Sequence, residues 1–428
     1  MTEAAQPKTE QGTGIPPDNT ATVQPIPKEC EKLAREPNIL MVFAADLEGL
    51  GVVGEMRIAK LLFLALVSRL LDRPVSMAVK GPSSGGKSFT TEQVLRFFPK
   101  SAYYELTAMS DKALAYIDED LRHRIIVIYE AAGMAGDFAT YLMRSLLSEG
   151  RIAYQVVEKT SEGMRARRIE VEGPTGLLLT TTRVRLHPEN ETRMLSVTVT
   201  DTPEQTRAVL QALARQDRPS VDVPDLRRWH SLQEWIECNE HRVVIPYAQR
   251  LAGLVPNGAT RMRRDFRTLL SLIKAHAILH QASRARDPAG CIVATINDYA
   301  VVRELVSDSM AEGVDAAVPS DIRETVNAVA ALQVDDPQRE VTVTEVARYL
   351  NLHKSAAWRR VQVAIKAGYL ADSESRRGRP SRLCLADSMP TDREVLPSVE
   401  RLRGFSENEG VYPGAPASAP EDDAEVIQ

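Results

Sequence analysis

The segment from Gly81 to Ser88 has the composition of a phosphate-binding loop. It reads GPSSGGKS and satisfies the pattern G-x-x-x-x-G-K-[ST] with Gly81, Gly86, Lys87 and Ser88. Glycines let backbone N–H groups approach phosphate oxygens, the lysine neutralises the β- and γ-phosphates, and the serine hydroxyl completes a Mg²⁺ shell. We therefore predict that ATP, with GTP as the alternative, binds here with Mg²⁺ through Gly81, Pro82, Ser83, Ser84, Gly85, Gly86, Lys87 and Ser88.

The segments on either side of the loop suit this chemistry. Val75–Lys80 has the pattern of an apolar strand, and Ser88–Phe98 has the pattern of a helix. A helix that begins at the loop directs the positive end of its dipole at the phosphates. By accident, the loop pattern alone would occur in about one or two in a hundred chains of this length. The flanking elements make a fortuitous loop a poorer explanation.

A carboxylate is expected at the end of a neighbouring strand. Arg124–Glu130 reads RIIVIYE, an apolar run typical of a parallel strand that is buried on both faces. P-loop ATPases need an acidic group here to hold Mg²⁺ or to activate water. Glu130 is our candidate for the catalytic carboxylate and, together with Ser88, for the metal site.

The residue before Glu130 departs from the usual pattern. Tyr129 occupies the position where an aspartate associated with Mg²⁺ would be expected, which bears on the rate of hydrolysis and not on nucleotide binding. Two alternatives remain at this stage. Glu130 could merely cap the segment that follows it, and Asp118–Asp120 offers another acidic cluster, although that run is more typical of a solvated helix end.

The composition sets outer limits on the class of protein. The length of 428 residues suggests two or three domains, with 43% hydrophobic and 26% charged residues as in ordinary globular proteins. The net charge of −5 does not favour nucleic acid as a partner, although averaging hides any local basic patch. We expect a cytoplasmic protein without a membrane segment, because no signal-peptide pattern or long apolar run is visible. The scattered cysteines, Cys30, Cys238, Cys291 and Cys384, predict neither a disulfide framework nor a zinc site.

The order of elements in the first half favours a three-layer α/β fold. Strand patterns alternate with helix patterns at Gly54–Leu71, Val75–Lys80, Ser88–Phe98, Ser101–Thr107, Lys112–Asp120, Arg124–Glu130, Phe138–Ser148 and Gly176–Thr182. From about Thr202 the pattern is mostly helical, most clearly at Arg264–Gln281. The predicted units are a disordered tail at 1–27, a P-loop core at 28–201, a helical domain at 202–318, a small domain at 319–386 and a disordered acidic tail at 387–428.

This order of motifs resembles that of AAA+ ATPases. The Gly81–Ser88 loop, the Ile128–Glu130 strand end and the Thr180–Thr182 strand end follow one another as in that family. The resemblance is narrower with the pre-sensor-1 hairpin group, which includes the minichromosome maintenance helicases, and with the ATPase portion of primase-helicase proteins from bacterial mobile elements. It covers about Glu48–Asp308 and implies ATP sites between the subunits of a homo-oligomeric ring, with 202–318 as the lid.

A hairpin insertion supports the narrower resemblance. Arg151–Lys159 and Ala166–Gly173 resemble the two strands of the hairpin with which this group grips DNA. Lys159 and Arg165, close to the predicted tip, are therefore candidates for DNA contact. A solvated basic turn is the alternative.

The resemblance also implies roles for three other residues. Thr181 resembles the polar sensor that orients water at the γ-phosphate, although the run of three threonines leaves the register open. Arg193 lies where the arginine finger of the family would reach a neighbouring subunit. Arg264 resembles the sensor-2 arginine of the lid. A plain surface arginine or a charge at a helix end is the alternative for each arginine.

The segment 319–386 has the pattern of a helix-turn-helix with a wing. Helix patterns at Ile322–Leu332, Thr344–Leu350 and Lys354–Ala367, with Thr344 as a cap, precede strand patterns at Tyr369–Ala371 and Ser381–Leu385. This order resembles a winged-helix domain, and its excess of Lys and Arg suits phosphates. The predicted DNA contacts are Lys354, Arg359, Arg360, Arg376, Arg377 and Arg379. We expect Trp358 and Val361 to be core residues, with base stacking as the alternative. For the segment as a whole, the alternative is a winged helix that contacts protein only.

These patterns together favour a DNA-associated AAA+ ATPase, as a helicase or replication motor of a mobile element or phage-like system. Its expected partners are DNA, further copies of itself and replication proteins such as a primase. A second hypothesis is a DNA-binding regulator or loader that uses ATP as a switch without unwinding. A third is a nucleotide-binding scaffold with negligible turnover.

Overall fold

The structure is a computed structural model of the 428-residue chain. It describes residues 24–107, 119–130, 137–160, 163–182, 188–199, 202–216, 224–255, 261–317, 320–334, 336, 339–374, 376, 379–386 and 395–403. Arg377 and most of the helix predicted at Lys112–Asp120 lie outside the described residues. The same is true of the predicted disordered ends before residue 24 and after residue 403.

A five-stranded parallel sheet lies at the centre of the first half of the described chain. The strands in chain order are β1 (Met77–Lys80), β2 (Tyr103–Leu106), β3 (Arg124–Ile128), a hairpin of β4 (Ile152–Thr160) and β5 (Gly163–Val171), then β6 (Thr175–Thr181) and β7 (Leu195–Thr198). The sheet has the spatial order β2-β3-β6-β1-β7. Strands β1, β3 and β6 are buried on both faces, which explains their continuous apolar sequences.

Helices cover both faces of this sheet, and the predicted three-layer α/β fold is confirmed. The helices of this half of the chain are α1 (Glu31–Ala34), α2 (Ile39–Gly49), α3 (Met56–Val67), α4 (Lys87–Leu95), α5 (Asp137–Glu149), α6 (Pro188–Glu191) and α7 (Pro203–Gln216). Val79 and Leu178 belong to the hydrophobic cluster formed with α3 and α4. Ala78 and Leu179 belong to a second cluster, formed with α5. Alternate residues of each strand therefore hold different layers.

The elements after the sheet extend the same hydrophobic core. They are α8 (Arg227–Glu237), β8 (Val243–Val244), α9 (Ala248–Leu254), α10 (Met262–Leu279), β9 (Ile292–Val293) and α11 (Ile296–Ala317). Trp229 of α8 is fully buried, and its ring packs edge-on against Phe43, Phe63 and Phe97 at centroid distances of 6.0, 5.7 and 5.2 Å. The boundary predicted at residues 201/202 therefore does not separate two cores.

A buried carboxylate fastens α10 to α11. Asp298 is fully buried, and His276 Nδ1 and Arg284 Nη2 lie 2.6 and 2.5 Å from its Oδ1 atom. Thr295 donates its backbone N–H to Oδ2 at 2.6 Å. Burial alone would raise the pKa of Asp298, but the hydrogen bonds from His276 and Arg284 outweigh it and hold the pKa at about 2. The ionised carboxylate is thus part of the folded core.

The segment 320–386 has a hydrophobic core of its own. It contains α12 (Ser320–Leu332), α13 (Val343–Tyr349), α14 (Lys354–Lys366) and an antiparallel pair, β10 (Leu370–Asp372) and β11 (Leu383–Leu385). The predicted cap of the second helix was wrong by two positions. Thr342 caps α13 and forms a capping box with Glu345, because the T-x-x-E spacing needed for that box begins at Thr342 and not at Thr344.

The chain returns to the main core after this segment, where a disordered tail was predicted. Val395, Leu396 and Leu402 are buried in the main hydrophobic cluster, and α15 (Val399–Arg403) packs on α11. Tyr299 of α11 donates its hydroxyl to Pro397 O at 2.6 Å. The apolar side chains of this short stretch outweigh the polar composition around it. None of the helices that the structure describes is long and apolar enough to cross a membrane.

Candidate functional site

The predicted phosphate loop connects β1 to α4. Gly86 caps α4 in the left-handed conformation, with φ of 79°, and Gly81 has φ of 152°. A Cβ atom added at Gly81 would lie 2.3 Å from Cγ2 of Val199, which follows the neighbouring strand β7. Only glycine therefore fits at Gly81, because the loop passes directly against that side chain. Ser84 also has a positive φ, of 65°.

The loop offers donors suited to a triphosphate. In the described part of the chain, the backbone N–H groups of Gly86, Lys87 and Ser88 donate to no protein acceptor, since the first turn of a helix has no preceding carbonyls for them. The Lys87 side chain is buried, and its Nζ atom donates to Pro82 O at 2.5 Å, so the ammonium lies against the loop. Unpaired amides, a helix dipole and one ammonium form an anion site. These residues fit a nucleotide phosphate, and the Ser88 hydroxyl fits the metal that accompanies it.

Glu130 follows β3 at the same edge of the sheet as the loop. Strand β6 separates β3 from β1, so the ends of β3 and β1 are about 10 Å apart at the usual strand spacing. Glu130 donates its backbone N–H to Thr180 Oγ1 at 3.1 Å, and Thr182 donates its hydroxyl to Glu130 Oε1 at 3.3 Å. Glu130 is exposed and has φ of 54°, a conformation uncommon for residues other than glycine. The end of β6 thus holds the carboxylate.

Thr181 reaches this edge too, but on the other face of β6. Side chains alternate along a strand, and Leu177 and Leu179 pack towards α5, so fully buried Thr181 faces that layer. Its carbonyl oxygen accepts the Gly81 N–H at 3.3 Å, which ties β6 to the start of the loop. Thr180 and Thr182 are the threonines that contact Glu130. The sequence did not single them out, because three consecutive threonines look alike.

The side chain of Tyr129 binds β2, the outermost strand on that side of the sheet. Its hydroxyl donates to Glu105 Oε1 of β2 at 2.7 Å. Burial, and then the neighbouring Glu105 carboxylate, raises the pKa of Tyr129 well above its ordinary value, so the phenol remains a protonated donor. Sequence reasoning did not single out Glu105. The position of the missing aspartate is therefore occupied by a neutral side chain engaged elsewhere.

Arg193 and Arg264 lie together at the opposite edge of the sheet. Arg193 precedes β7 and donates to the Ser148 hydroxyl at the end of α5. Arg264, in the first turn of α10, donates to Thr192 Oγ1 at 2.5 Å. Both arginines line a cleft of about 420 Å³, which Arg73 and Arg267 also line. The structure therefore separates these two residues from the Gly81–Ser88 loop of the same chain.

The predicted hairpin exists between α5 and β6. Strands β4 and β5 pair in antiparallel register from Ile152 opposite Val171 to Thr160 opposite Gly163. With nine residues in each strand, the ribbon is about 30 Å long. Ile152, Tyr154 and Val171 at its base pack into the core, whereas Arg165 near the tip is exposed. The backbone of Lys159 pairs with Met164, and its side chain lies outside the described residues.

The predicted DNA contacts of the third unit, residues 320–386, fall into two groups. Lys354 and Arg359 on α14 are exposed, as are Arg376 and Arg379 between β10 and β11. Arg360 instead forms an ion pair with Glu324 of α12, its Nη1 atom lying 3.0 Å from the carboxylate, so that its charge is partly neutralised.

The two predicted core residues of α14 have opposite outcomes. Val361 is fully buried, as expected. The prediction for Trp358 was wrong, since its side chain is 54% exposed. The buried face of the helix is formed by Ala357, Val361 and Ala364, and Trp358 follows Ala357 by one residue, about 100° further around the helix.

A protein-family model matches the part of the chain that includes the loop, Glu130 and Arg193. A family model described as the MTBMA_p00010 P-loop domain matches residues 38–225, somewhat less than half of the chain. The match is to a P-loop domain. Among solved structures, a mutant of RuvB from Thermotoga maritima is similar, with 12% identity, a TM-score of 0.28 and coverage of 78% of this chain and 93% of that one. That score supports no residue correspondence. No curated protein matches the chain.

Proposed function

We propose that this protein is a DNA-associated ATPase of the AAA+ type, which hydrolyses ATP between subunits and acts as a helicase or replication motor. Further copies of the chain, DNA and replication proteins such as a primase are its proposed partners. The observation that carries the proposal is the placement of the P-loop and Arg193 at opposite edges of one sheet.

The distance between the two edges follows from the strand register. Strand β7 pairs in parallel with β1, so that Leu195 lies opposite Met77 and Thr198 opposite Lys80. Arg193 precedes β7, whereas the loop follows β1. At about 3.3 Å per residue the two ends of β1 alone are about 10 Å apart, with the sheet between them. This separation supports a role for Arg193 and Arg264 at the nucleotide of a second copy rather than at their own.

The roles of the residues follow from this arrangement. The loop amides and Lys87 would bind the triphosphate, and Ser88 and Glu130 would hold Mg²⁺, which spreads the charge of the phosphates. Glu130, fixed by Thr180 and Thr182, would polarise the attacking water. The partner copy would supply arginines that stabilise charge developing on the γ-phosphate.

Two exposed features support DNA as the partner. The ribbon formed by β4 and β5 extends from the sheet and presents Arg165, while Val157 and Met164 are 62% and 69% exposed. The third unit has the order helix, turn, helix and β-pair, which we interpret as a winged helix. Lys354 and Arg359 are exposed on α14, the helix that follows the turn. Cations on such elements suit phosphates.

A mixing experiment tests the intersubunit site. Lys87→Ala subunits keep their arginines, and Arg193→Ala subunits keep their loops. Each variant alone should lose nearly all ATP turnover. Lys87→Ala lacks the ammonium that binds the phosphates, and an arginine finger is worth about 10³-fold or more in rate. An equimolar mixture should recover about a quarter of the wild-type rate, since each site is formed by two randomly chosen subunits.

The matched control is Arg263→Ala, which removes an exposed arginine next to Arg264. It should leave turnover unchanged. If the mixture stays as inactive as its components while both variants still assemble, the intersubunit arrangement is wrong. If Arg193→Ala alone keeps full activity, that residue is not a finger.

Tyr129 supports a second candidate function, an ATP-switched DNA-binding regulator or loader without unwinding activity. Because the Tyr129 hydroxyl binds Glu105, the aspartate position supplies no carboxylate to the metal, and slow hydrolysis would suit a switch. ATP-dependent strand displacement on a forked duplex distinguishes the two. Displacement supports the motor, and assembly on DNA without displacement supports the switch.

A further inference from the structure

An exposed tryptophan lies on the second helix of the helix-turn-helix. Trp358 of α14 is 54% exposed, whereas Trp229 and Trp235, the other tryptophans of the chain, are 0% and 5% exposed. Tryptophan is enriched at interfaces, so an exposed tryptophan that lies among cationic side chains is a candidate contact residue. Trp358 does not belong to the hydrophobic cluster of the third unit.

The exposed face of α14 is polar and basic around this ring. Ala357, Val361 and Ala364 form the opposite, buried face. Trp358 and Gln362 are one helical turn apart and therefore neighbours on the exposed face. The exposed residues of α14 are Lys354, Ser355, Trp358, Arg359, Gln362, Val363 and Lys366, of which only Trp358 and Val363 are apolar. The sequence of α14, KSAAWRRVQVAIK, contains no acidic residue, so nothing on the helix opposes a polyanion.

The turn before α14 fixes this face. Asn351 adopts the left-handed conformation with φ of 52°, and Leu352 donates its N–H to Ala347 O at 2.8 Å, which ends α13 sharply. The second helix of such a pair lies in the major groove of DNA and contacts base edges with its N-terminal half. Trp358 is in the second turn of α14, within that half, and Gln362 lies one turn further along the helix, just beyond it.

We propose that Trp358 and Gln362 read an A·T base pair in the major groove of duplex DNA, a proposal that rests on the DNA-binding part of the proposed function. An apolar ring is suited to the 5-methyl group of thymine, and a glutamine amide forms a bidentate pair with adenine N6 and N7. Lys354, Arg359 and Lys366 bind the flanking phosphates. The third unit thus recognises sequence, not backbone charge alone.

Selection from a random duplex library tests the proposal with the full-length protein. The selected duplexes are expected to share an A·T pair whose change to G·C, or whose thymine change to deoxyuridine, weakens binding. Trp358→Ala should weaken the selected duplex about tenfold, and Gln362→Ala should remove the preference at that pair, because one good base contact is worth roughly 5- to 100-fold. Tyr349→Ala, which removes another exposed aromatic ring from α13, is the control and should bind as wild type.

Tryptophan emission supplies a second readout. Iodide should quench Trp358 alone, because the other two rings are buried, and saturating selected duplex should protect it. The inference is overturned if Trp358→Ala binds the selected duplex with unchanged affinity, or if single-stranded DNA, and not duplex, gives the protection. If the protein binds DNA and Trp358→Ala binds it equally well, only this inference is refuted. Absence of all DNA binding refutes the DNA-associated function as well.

Discussion

Replacing Thr180 by valine removes one hydrogen-bond acceptor from the end of β6 while keeping the shape of the side chain. Thr180 is almost fully buried, and its Oγ1 atom accepts the backbone N–H of Glu130 at 3.1 Å. That bond helps to hold Glu130 at φ of 54°, a conformation that costs a non-glycine residue about 1 kcal/mol. The substitution therefore acts on the backbone that carries the proposed water-activating carboxylate.

The size of the effect follows from these contacts. A partly buried N–H that loses its acceptor costs about 1–3 kcal/mol. If Glu130 must occupy its present position in the transition state, the same loss lowers turnover by about 10- to 100-fold. The affinity for ATP should remain within about twofold, because the substitution leaves unchanged the P-loop amides and Lys87, whose ammonium is held by Pro82 O. The free energy of unfolding should fall by about 1–2 kcal/mol.

Steady-state ATP turnover, equilibrium nucleotide binding and urea unfolding measure these three quantities. Thr181→Val is the matched control, with the same change of atoms at the next position but on the face towards α5. It should keep turnover within about threefold while losing some stability. If Thr181→Val abolishes turnover and Thr180→Val does not, Thr181 is the sensor and our assignment of the register is wrong.

Two further predictions concern Glu130 and Asp298. Glu130→Gln should bind ATP with wild-type affinity but lower turnover by about 10²-fold or more, and unchanged turnover would exclude Glu130 as the base. Asp298 has a pKa of about 2 in the fold against an ordinary 3.8, so its stabilisation, about 2 kcal/mol, is complete above pH 4 and is lost as the pH falls towards 2. Asp298→Asn should destabilise the protein at pH 7 and flatten this acid-induced loss in urea titrations; a parallel pH curve would contradict the assignment.

The phosphate loop could be predicted because all of its chemistry is contained in eight consecutive residues. The loop spacing fixes which residue is the ammonium and which is the hydroxyl, and local geometry follows from the glycines. The register of the threonines could not be predicted in this way. Whether Thr180 or Thr181 meets Glu130 depends on the face of β6 that packs on α5, and this is a property of the assembled sheet.

The exposed position of Trp358 shows a different limit. Its residue type favours burial, which suggested a core position, but the spacing of Ala357, Val361 and Ala364 defines the buried face of α14 and excludes it. Arg360 likewise looked like a phosphate contact until α12 placed Glu324 beside it. Residue type predicts what a side chain can do, whereas the packing of the helix decides which partner it meets.

The docking of α15 has a mechanical consequence for the third unit. This unit leaves the main body after α11 and is followed by residues 395–403, which return to the same helix through Tyr299 and Pro397. It is therefore attached to the main body at both of its ends and not at one end only. If this unit binds DNA as proposed, a force on that DNA would be transmitted to α11, whose first turn contains Asp298. Cutting the chain just after β11 would leave one attachment and expose apolar surface on the main body.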